Sequence, residues 1–578
     1  MKRTPQLAVV ATVAALLVIP SGTPLAAPDT GQPQSVTARH LDALAAIGQD
    51  LLARLRPEVR KAFLSSGGTT LTTLAEKVDQ VKRAKAAGVK GTPSGPRALP
   101  QGSGSDPFAA EDFASRLTGM TQSETSVGWC GTNAVLGFND SGSFAATLLL
   151  AASPSGSLSF NGLSRSATSG ASYTDLGALL ADPLPAGDMF VDLLGDPVVG
   201  CASPSTFYYA SLAAETGAGF AFMNSGITVS KSIDGGASFG GAVLAASKNA
   251  VTHFLDKPWM AVEPGPTASP TDDVVHVSYT DFDFSGFEGA GPCPGDVRTA
   301  IEYVRSTDGG ASWTAPLVLD EVCGADGSVQ GSQVEPGIGD DLFVAWERYG
   351  ADFVTRDIRI RRSVDRGDTF GAATVVNSVT PIGDGFALQG LFRGGPDLQG
   401  LAVDRSAGPR RGSLYVSWQD GRNRSKPDPF GLCDGTSKYC FGDVLLARST
   451  NAGAAWSNPV RVNDDDPTLG IDQFQPGLDV DRTGTVWITY SDRRRDPRNF
   501  LIDQFVANSN DGGQKWTNTR LTTRNFAPVT GWQDLVVNPL YMGDYNAVAA
   551  DATGSQPGVA VAWGDNSLGD ANVAVARR

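Results

Sequence analysis

The sequence is poor in the residues that support metal and nucleic-acid chemistry. It has only three histidines, His40, His253 and His276, among 578 residues. The first falls in a segment predicted below to be helical, so a three-histidine zinc site is poorly supported. Lys and Arg form no block of about five or more, and the net charge of −15 repels phosphate backbones. We therefore expect no metal centre and no nucleic-acid partner.

Long hydrophobic runs are absent beyond the N-terminus. A basic start at residues 1–3 precedes an apolar run at residues 7–19, and the small residues Ala26 and Ala27 follow. This order predicts a secretory signal peptide over residues 1–27. Because the run is shorter than the roughly 20 apolar residues that span a bilayer, we expect a secreted, extracellular protein without a transmembrane anchor.

Cysteine is scarce, with six residues, and no two have the CxxC spacing of metal sites. In an exported chain an even number of cysteines predicts disulfides. Cys433 and Cys440 are close enough in the sequence to form a disulfide that closes a single loop. The order of the other four suggests two bonds, although four cysteines allow three pairings. The suggested bonds join Cys130 to Cys201 and Cys293 to Cys323.

The segment after the signal peptide has helical periodicity. Leucines and valines recur at helical spacing on both sides of a Ser-Ser-Gly-Gly break at residues 65–68. Residues 28–88 are therefore predicted to form a helical hairpin, a propeptide or docking element, with a solvated stalk as the alternative. Residues 89–107, rich in Gly, Pro and Ser, are predicted to be a linker.

Glycine, by contrast, is abundant. With 68 glycines, 35 prolines and 19% charged residues, the composition is typical of a turn-rich all-β protein. The turn pattern Ser-x-Asp-x-Gly-x-x-aromatic recurs, with a degenerate copy at residues 166–173. A short Asp side chain can accept backbone amides in a tight turn, so these residues are interpreted as structural. The full copies have Asp234, Asp308, Asp365, Asn451 and Asp511 at the third position.

A second repeating pattern in the sequence gives the number of repeat units. Apolar strands that end in an aromatic residue recur 67 to 73 residues apart, at Phe138, Tyr209, Tyr279, Trp346, Trp418, Tyr490 and Trp563. Four short strands in each unit of this length predict a seven-bladed β-propeller. The last unit lacks a fourth strand, and we predict that residues 113–118 complete it and close the propeller.

The turns resemble the Asp-box, or BNR, repeats of sialidases and related propeller proteins, and the resemblance covers residues 108–578. Phrases at residues 256–262, 492–499 and 543–548 look like those of secreted bacterial sialidase-like proteins. Sialidases have six blades, so a six-bladed propeller is the alternative to our count. The resemblance implies a glycoside hydrolase of exo-sialidase type that acts on extracellular glycans or glycoproteins. A non-catalytic glycan- or protein-binding propeller is the alternative, because such receptors share the repeats.

The resemblance also implies a site on the face opposite the turns, at the mouth of the central channel. There the sialidase mechanism assigns Tyr545 as nucleophile, Glu335 as its base and Asp281 as acid/base. The arginine of the sialidase Arg-Ile-Pro motif is absent. The expected substrate contacts are Arg422, Arg493, Arg494, Trp259 and Asp544. Alternatively, strand-end Asp residues cap loop amides, and Asp–Arg pairs between blades are structural.

No cofactor is expected, with calcium as the one alternative. Residues 463–466 (Asn-Asp-Asp-Asp) gather oxygen ligands of the kind that calcium prefers. A solvated acidic turn needs no metal and is the favoured interpretation. We expect the protein to be a monomer.

Overall fold

The structure is a computed structural model. It describes residues 121–149, 156–182, 190–216, 222–267, 269–385, 387–390, 392–393, 398–528, 542–567 and 571–578. The predicted signal peptide, helical hairpin and linker, and the closing strand at residues 113–118, lie outside these residues. None of the described helices is long and apolar enough to cross a membrane.

The described chain is a seven-bladed β-propeller of antiparallel sheets, which confirms the predicted fold and the count of seven over six. Six blades have four strands, and the last has three among the described residues. The first three blades are β1 (Gln122–Cys130), β2 (Asn133–Asp140), β3 (Asn161–Ser166) and β4 (Thr174–Ala178); β5 (Phe190–Cys201), β6 (Phe207–Thr216), β7 (Phe222–Ser232) and β8 (Val243–Asn249); and β9 (His253–Glu263), β10 (Val274–Asp283), β11 (Arg298–Ser306) and β12 (Leu317–Cys323).

The later blades repeat the arrangement, with a small hairpin, β17 (Ala387–Leu388) and β18 (Phe392–Arg393), before the fifth. They are β13 (Gly327–Pro336), β14 (Leu342–Gly350), β15 (Arg356–Ser363) and β16 (Thr374–Val379); β19 (Gly400–Val403), β20 (Leu414–Pro427), β21 (Lys438–Ser449) and β22 (Val460–Arg461); β23 (Gln473–Val480), β24 (Val486–Asp492), β25 (Asp503–Ser509) and β26 (Thr517–Arg520); and β27 (Ala547–Ala550), β28 (Val559–Asp565) and β29 (Asn572–Arg577). Helix α1 (Ser141–Leu149) and a 3-10 turn (Ser285–Glu288) interrupt the strands, and neither was predicted.

The aromatic residues that set the sequence period form the cores between blades. Each lies on the second strand of its blade, and none is more than 1% exposed. Burial of such a side chain contributes roughly 1.5–3 kcal/mol relative to exposure. The period of about 70 residues in the sequence is therefore the spacing of blade cores.

The propeller closes by direct contact between its first and last blades. The innermost strands touch in a complete circle, from β1 through β5, β9, β13, β19, β23 and β27 back to β1. The Gln122 amide donates to the Ala571 carbonyl at 2.8 Å, and the Thr125 hydroxyl donates to the Ala562 carbonyl at 2.8 Å. These contacts hold the ends of the described chain together.

The repeated turns are held by their own short side chains. In one copy the Ser306 hydroxyl accepts the Gly310 amide at 2.8 Å and donates to Asp308 at 2.7 Å. Asp308 also accepts the amides of Ala311 and Ser312. The other full copies keep the Ser–Gly bond and the side-chain acceptor at Asp234, Asp365, Asn451 and Asp511. We call the side of the propeller that carries these turns the turn face.

The three disulfides follow the predicted order. Cys130–Cys201 joins the ends of the innermost strands of the first two blades, Cys293–Cys323 lies within the third, and Cys433–Cys440 staples the β20–β21 hairpin. The described residues contain no free cysteine. Complete pairing fits an oxidising, extracellular environment.

Candidate functional site on the propeller axis

A β-bulge recurs on the innermost strands. In five blades, the pairing between the innermost strand and the second strand is interrupted at one residue of the innermost strand. The pairing resumes two residues further along that strand. In the other two blades, the ladder begins two residues beyond the equivalent position. We call these seven positions the axial belt; they are Glu124, Asp196, Lys257, Gly331, Leu398, Gln475 and Tyr545.

The bulge forces an unusual backbone at several belt positions. Glu124, Asp196, Lys257 and Gln475 have φ between 48° and 53°, in the left-handed region that non-glycine residues rarely adopt. Such a residue costs on the order of 1–3 kcal/mol and persists only where its surroundings fix it. Proline follows three of the four, and its missing N–H suits a position without a ladder bond. The same strained conformation in four blades points to a functional constraint.

The charged belt residues lie on adjacent blades. Glu124, Asp196 and Lys257 belong to the first three blades, and Tyr545 belongs to the seventh, which contacts the first. The remaining side of the belt carries no charged residue and consists of Gly331, Leu398 and Gln475. The belt therefore has one polar half, assembled from residues more than 400 positions apart in the chain.

Lys257 is at the centre of the polar half. It is 5% exposed, and its Nζ lies 3.6 Å from the ring centroid of Tyr545 and 5.3 Å from that of Trp259. Burial lowers the pKa of Lys257, and the nearby carboxylates, chiefly Asp196 and Glu124, oppose this effect. The Nζ has no hydrogen-bond partner among the described residues.

Glu124 and Asp196 form a buried carboxyl pair. They are 2% and 3% exposed, and their side chains are within hydrogen-bond reach of each other. Glu124 accepts Asn139 Nδ2 at 2.5 Å and the Asp544 amide at 3.3 Å. Burial, and then the charges of Asp196 and Asp544, raise the pKa of Glu124 well above its ordinary value. Burial and the acidic neighbours therefore favour the protonated form of Glu124.

Tyr545 meets the same charges. Burial, followed by Asp196, Glu124 and Asp544, raises the pKa of its phenol well above the usual value. Its hydroxyl and Asp196 Oδ2 are buried atoms for which the described residues provide no hydrogen-bond partner. Together with Lys257 Nζ, the polar half of the belt therefore holds three unmatched polar atoms.

The belt borders a cavity of about 170 Å³ that follows the axis. All seven innermost strands line it, and Lys257 and Tyr545 are its lining residues from the belt's polar half. Gly331 and Leu398 of the belt also line it, and the remaining lining residues come after the belt on each strand, so this cavity extends from the belt toward the turn face. The sequence predicts a site at the mouth opposite the turns, and this cavity lies on the other side of the belt.

Three of the predicted site residues come together here. Tyr545 is in the belt, Asp544 precedes it and donates its amide to Glu124, and Trp259 contacts Lys257. Glu124, Asp196 and Lys257 were missed. A polar residue followed by proline within an innermost strand, as at Asp196 and Lys257, was the available signal.

Glu335 lines the same cavity but not the belt. It lies four residues beyond Gly331 on β13, which at about 3.3 Å per residue is roughly 13 Å further along the strand. It pairs with Arg405 at 3.0 Å, and burial raises the pKa of its carboxyl to about 7. The structure therefore does not bring Glu335 to Tyr545, and Glu124 is the glutamate beside it.

Asp281 belongs to a separate buried ion network. Lys248 lies 2.7 Å from its carboxylate, His253 Nδ1 3.0 Å and Arg298 3.4 Å. Burial would raise the pKa of Asp281, but the His253 hydrogen bond and the Lys248 charge lower it overall. An acid/base residue of the predicted kind needs a proton to donate, and this environment keeps Asp281 ionised.

The three predicted substrate arginines are held by protein partners. Arg422 pairs with Asp420 at 2.7 Å, and Arg494 with Asp492 at 2.7 Å. Arg493 is fully buried and donates to two backbone carbonyls. Asp420 and Asp492 also cap the amide two residues on, which is the alternative raised for strand-end Asp residues. The arginines form no shared anion pocket with Tyr545.

The acidic segment at residues 463–466 is tied to neighbouring side chains. Asp465 pairs with Arg461 at 2.6 Å, Asp464 pairs with Arg494, and Asn463 Nδ2 donates to Asp443. Over the described residues, no group of three or more His, Cys, Asp or Glu side chains has the geometry to hold a metal ion. Calcium binding stays a prediction.

No protein-family model and no curated protein matches the sequence. Among solved structures, the chain is similar to a Hadza microbial sialidase, with 13% identity over 66% of this chain and 64% of that chain and a TM-score of 0.38. It is similar to the Penicillium chrysogenum alpha-L-arabinanase, with 12% identity over 64% and 89% and a TM-score of 0.36. A polysaccharide lyase, an ulvan lyase, has 8% identity over 83% and 95% and a TM-score of 0.43. The match spans a little under two thirds of the sialidase's length, and TM-scores this low carry no argument about function.

Proposed function

We propose that this protein is a secreted, glycan-active propeller enzyme, a glycoside hydrolase whose reacting centre is the polar half of the axial belt. One observation carries the proposal: the polar half of the belt holds three buried polar atoms without partners among the described residues, together with the Glu124–Asp196 carboxyl pair, at the edge of a cavity. Buried polar groups are nearly always hydrogen-bonded, and a ligand bound at the belt would supply the partners that these atoms lack.

The unmatched atoms fit the chemistry of a sugar. Lys257 Nζ donates hydrogen bonds, Asp196 Oδ2 accepts them, and the Tyr545 hydroxyl does both. Sugar hydroxyls also donate and accept, so one sugar ring can satisfy all three atoms. Leaving a buried polar group unmatched costs roughly 1–3 kcal/mol, which a matched ligand recovers.

The carboxyl pair supplies acid–base chemistry. Glu124, whose protonated form is favoured by burial and by its acidic neighbours, can donate a proton to the glycosidic oxygen as the bond breaks. Hydrolysis also needs a water molecule that attacks the anomeric carbon as the glycosidic bond breaks, and in this proposal the Asp196 carboxylate takes the proton that this water releases. Because the same carboxylates raise the pKa of Tyr545, its phenol serves best as a hydrogen-bonding group. The nucleophilic role implied by the sialidase resemblance remains the alternative for Tyr545.

The cavity favours action at a chain end. Its volume of about 170 Å³ is below the roughly 300–1,000 Å³ of pockets that enclose drug-sized ligands. A terminal sugar fits such a space better than an internal segment of a polysaccharide. Extracellular glycans are the accessible substrates for a secreted protein, and three disulfides are consistent with secretion.

A non-catalytic glycan-binding propeller is the second candidate. It is favoured by the fact that Asp281, Glu335 and the three predicted arginines all have protein partners. In that case the belt would bind a terminal sugar without cleaving it.

The test is hydrolysis of a panel of fluorogenic exo-glycosides by the mature protein and by a Glu124→Gln variant. Loss of the acid should reduce kcat/KM about 100- to 10,000-fold. Glu215→Gln is the matched control, because Glu215 is also buried and hydrogen-bonded, to Asn224 and Ser247, but lies away from the belt. Equal turnover by Glu124→Gln and wild type would refute the assignment, and a Tyr545→Phe variant separates a nucleophile from a hydrogen-bonding phenol. Binding of a sugar without turnover would select the second candidate.

A further inference from the structure

The charges around the axial cavity identify a class of sugar. Lys257 is surrounded by four carboxyl groups, those of Asp196, Glu124, Asp256 and Asp544. At the other end of the cavity, Glu335 and Asp479 face one base, Arg405. Acidic groups thus outnumber basic groups by six to two along the axis.

Neither base carries an uncompensated positive charge. Arg405 is already paired with Glu335 at 3.0 Å. Lys257 lies over the Tyr545 ring, within the field of the four carboxyl groups. The arginines that would form a carboxylate clamp in a sialidase-like site, Arg422 and Arg494, are paired with Asp420 and Asp492. A second carboxylate brought to the belt would meet like charges in a place from which water is largely excluded.

We infer that the axial site takes a sugar without a carboxylate, and that it rejects sialic and uronic acids. This inference rests on the proposed function and narrows its substrate. It runs against the substrate implied by the resemblance to sialidases. The reason is electrostatic: in a partly buried site two like charges a few ångströms apart repel by several kcal/mol, whereas uncharged hydroxyl groups hydrogen-bond to carboxylates.

Matched glycosides that differ only in one carboxylate test the inference. Fluorogenic β-glucoside and β-glucuronide form one pair, and α-galactoside and α-galacturonide form another; a sialoside is included as a separate anionic probe. We expect the uncharged member to have at least a 10-fold higher kcat/KM, and its advantage to shrink at high salt. In an Asp544→Asn variant, which removes one carboxyl group beside the belt, the ratio between the two members should fall several-fold. Binding of glucose and glucuronate, measured by calorimetry, covers the case of binding without turnover.

The outcomes distinguish failure of the inference from failure of the proposed function. Preference for the uncharged member, reduced in Asp544→Asn, supports the inference. Equal or better processing or binding of the anionic member overturns it and leaves the proposed function standing. Preference for the uncharged member that is unchanged in Asp544→Asn overturns the electrostatic basis of the inference. Absence of both turnover and binding for every probe overturns the proposed function and this inference with it.

Discussion

Replacing Lys257 by Met should destabilise the propeller strongly. Lys257 is 5% exposed and is the one base among the four carboxyl groups around it. Met keeps much of the side-chain length but removes the charge. The variant therefore leaves buried carboxyl groups without their counter-charge on three innermost strands and just before a fourth.

The size of the effect follows from two interactions. Removing one member of a buried ion pair typically costs about 3–5 kcal/mol. The ammonium also lies 3.6 Å from the Tyr545 ring centroid, and a desolvated cation–π contact contributes up to about 2 kcal/mol. Relief of the cost of burying the Lys257 ammonium, together with the apolar fit of Met, offsets part of the sum. We expect a net loss of about 3–4 kcal/mol near pH 8.

The loss should also depend on pH. Lys257 lowers the pKa of Glu124, so its removal raises that pKa further above the unfolded value. A group with a raised folded pKa contributes stability that is present at low pH and is lost as the pH rises through the folded pKa. The variant should therefore be closer to wild type at pH 5 than at pH 8.

Guanidinium unfolding of both proteins at pH 5 and pH 8 measures these differences. Lys438→Met is the control, because Lys438 is 43% exposed and pairs with Asp434 on the surface. Such a pair is worth about 0–1 kcal/mol. A loss below about 1 kcal/mol for Lys257→Met, equal at both pH values, would refute the view that Lys257 neutralises the belt.

Other perturbations test the rest of the fold. Replacing Cys130 and Cys201 by Ser should cost about 4 kcal/mol, measured by chemical unfolding, because the bond closes a span of 71 residues; the hairpin bond, which spans 7, should be worth about 2 kcal/mol. The folded pKa of Glu335 is raised to about 7, so Glu335 contributes on the order of 1–3 kcal/mol to stability at low pH, and wild type loses this contribution as the pH rises from about 4 to 7. Glu335→Gln should remove this pH-dependent contribution. Unchanged pH dependence of unfolding would contradict this. Asp308→Ala should lower the free energy of unfolding by about 1 kcal/mol through lost turn hydrogen bonds, and Asp308→Asn, which keeps an acceptor, by less.

The part of the site that could be predicted from sequence is the part that repeats. Tyr545, Asp544 and Trp259 were selected because they stand just before or within an innermost strand, a position that recurs in every unit. The recurring positions do not predict the roles given to Glu335 and Asp281. Whether Glu335 lies level with Tyr545 depends on where each strand starts along the propeller axis. Whether Asp281 can act as an acid depends on which basic side chains surround it. Neither quantity is local in the sequence.

The sequence by itself determined the architecture of this protein. Blade cores require a large aromatic side chain once per unit, and the turns require Ser, Asp and Gly at fixed positions, so both leave a periodic record along the chain. Tertiary structure alone decided the candidate site. A β-bulge with a left-handed residue has no periodic signature, and Glu124 meets Tyr545 only because closure of the propeller places the first blade against the last. Burial then sets the protonation of the carboxyl groups gathered there.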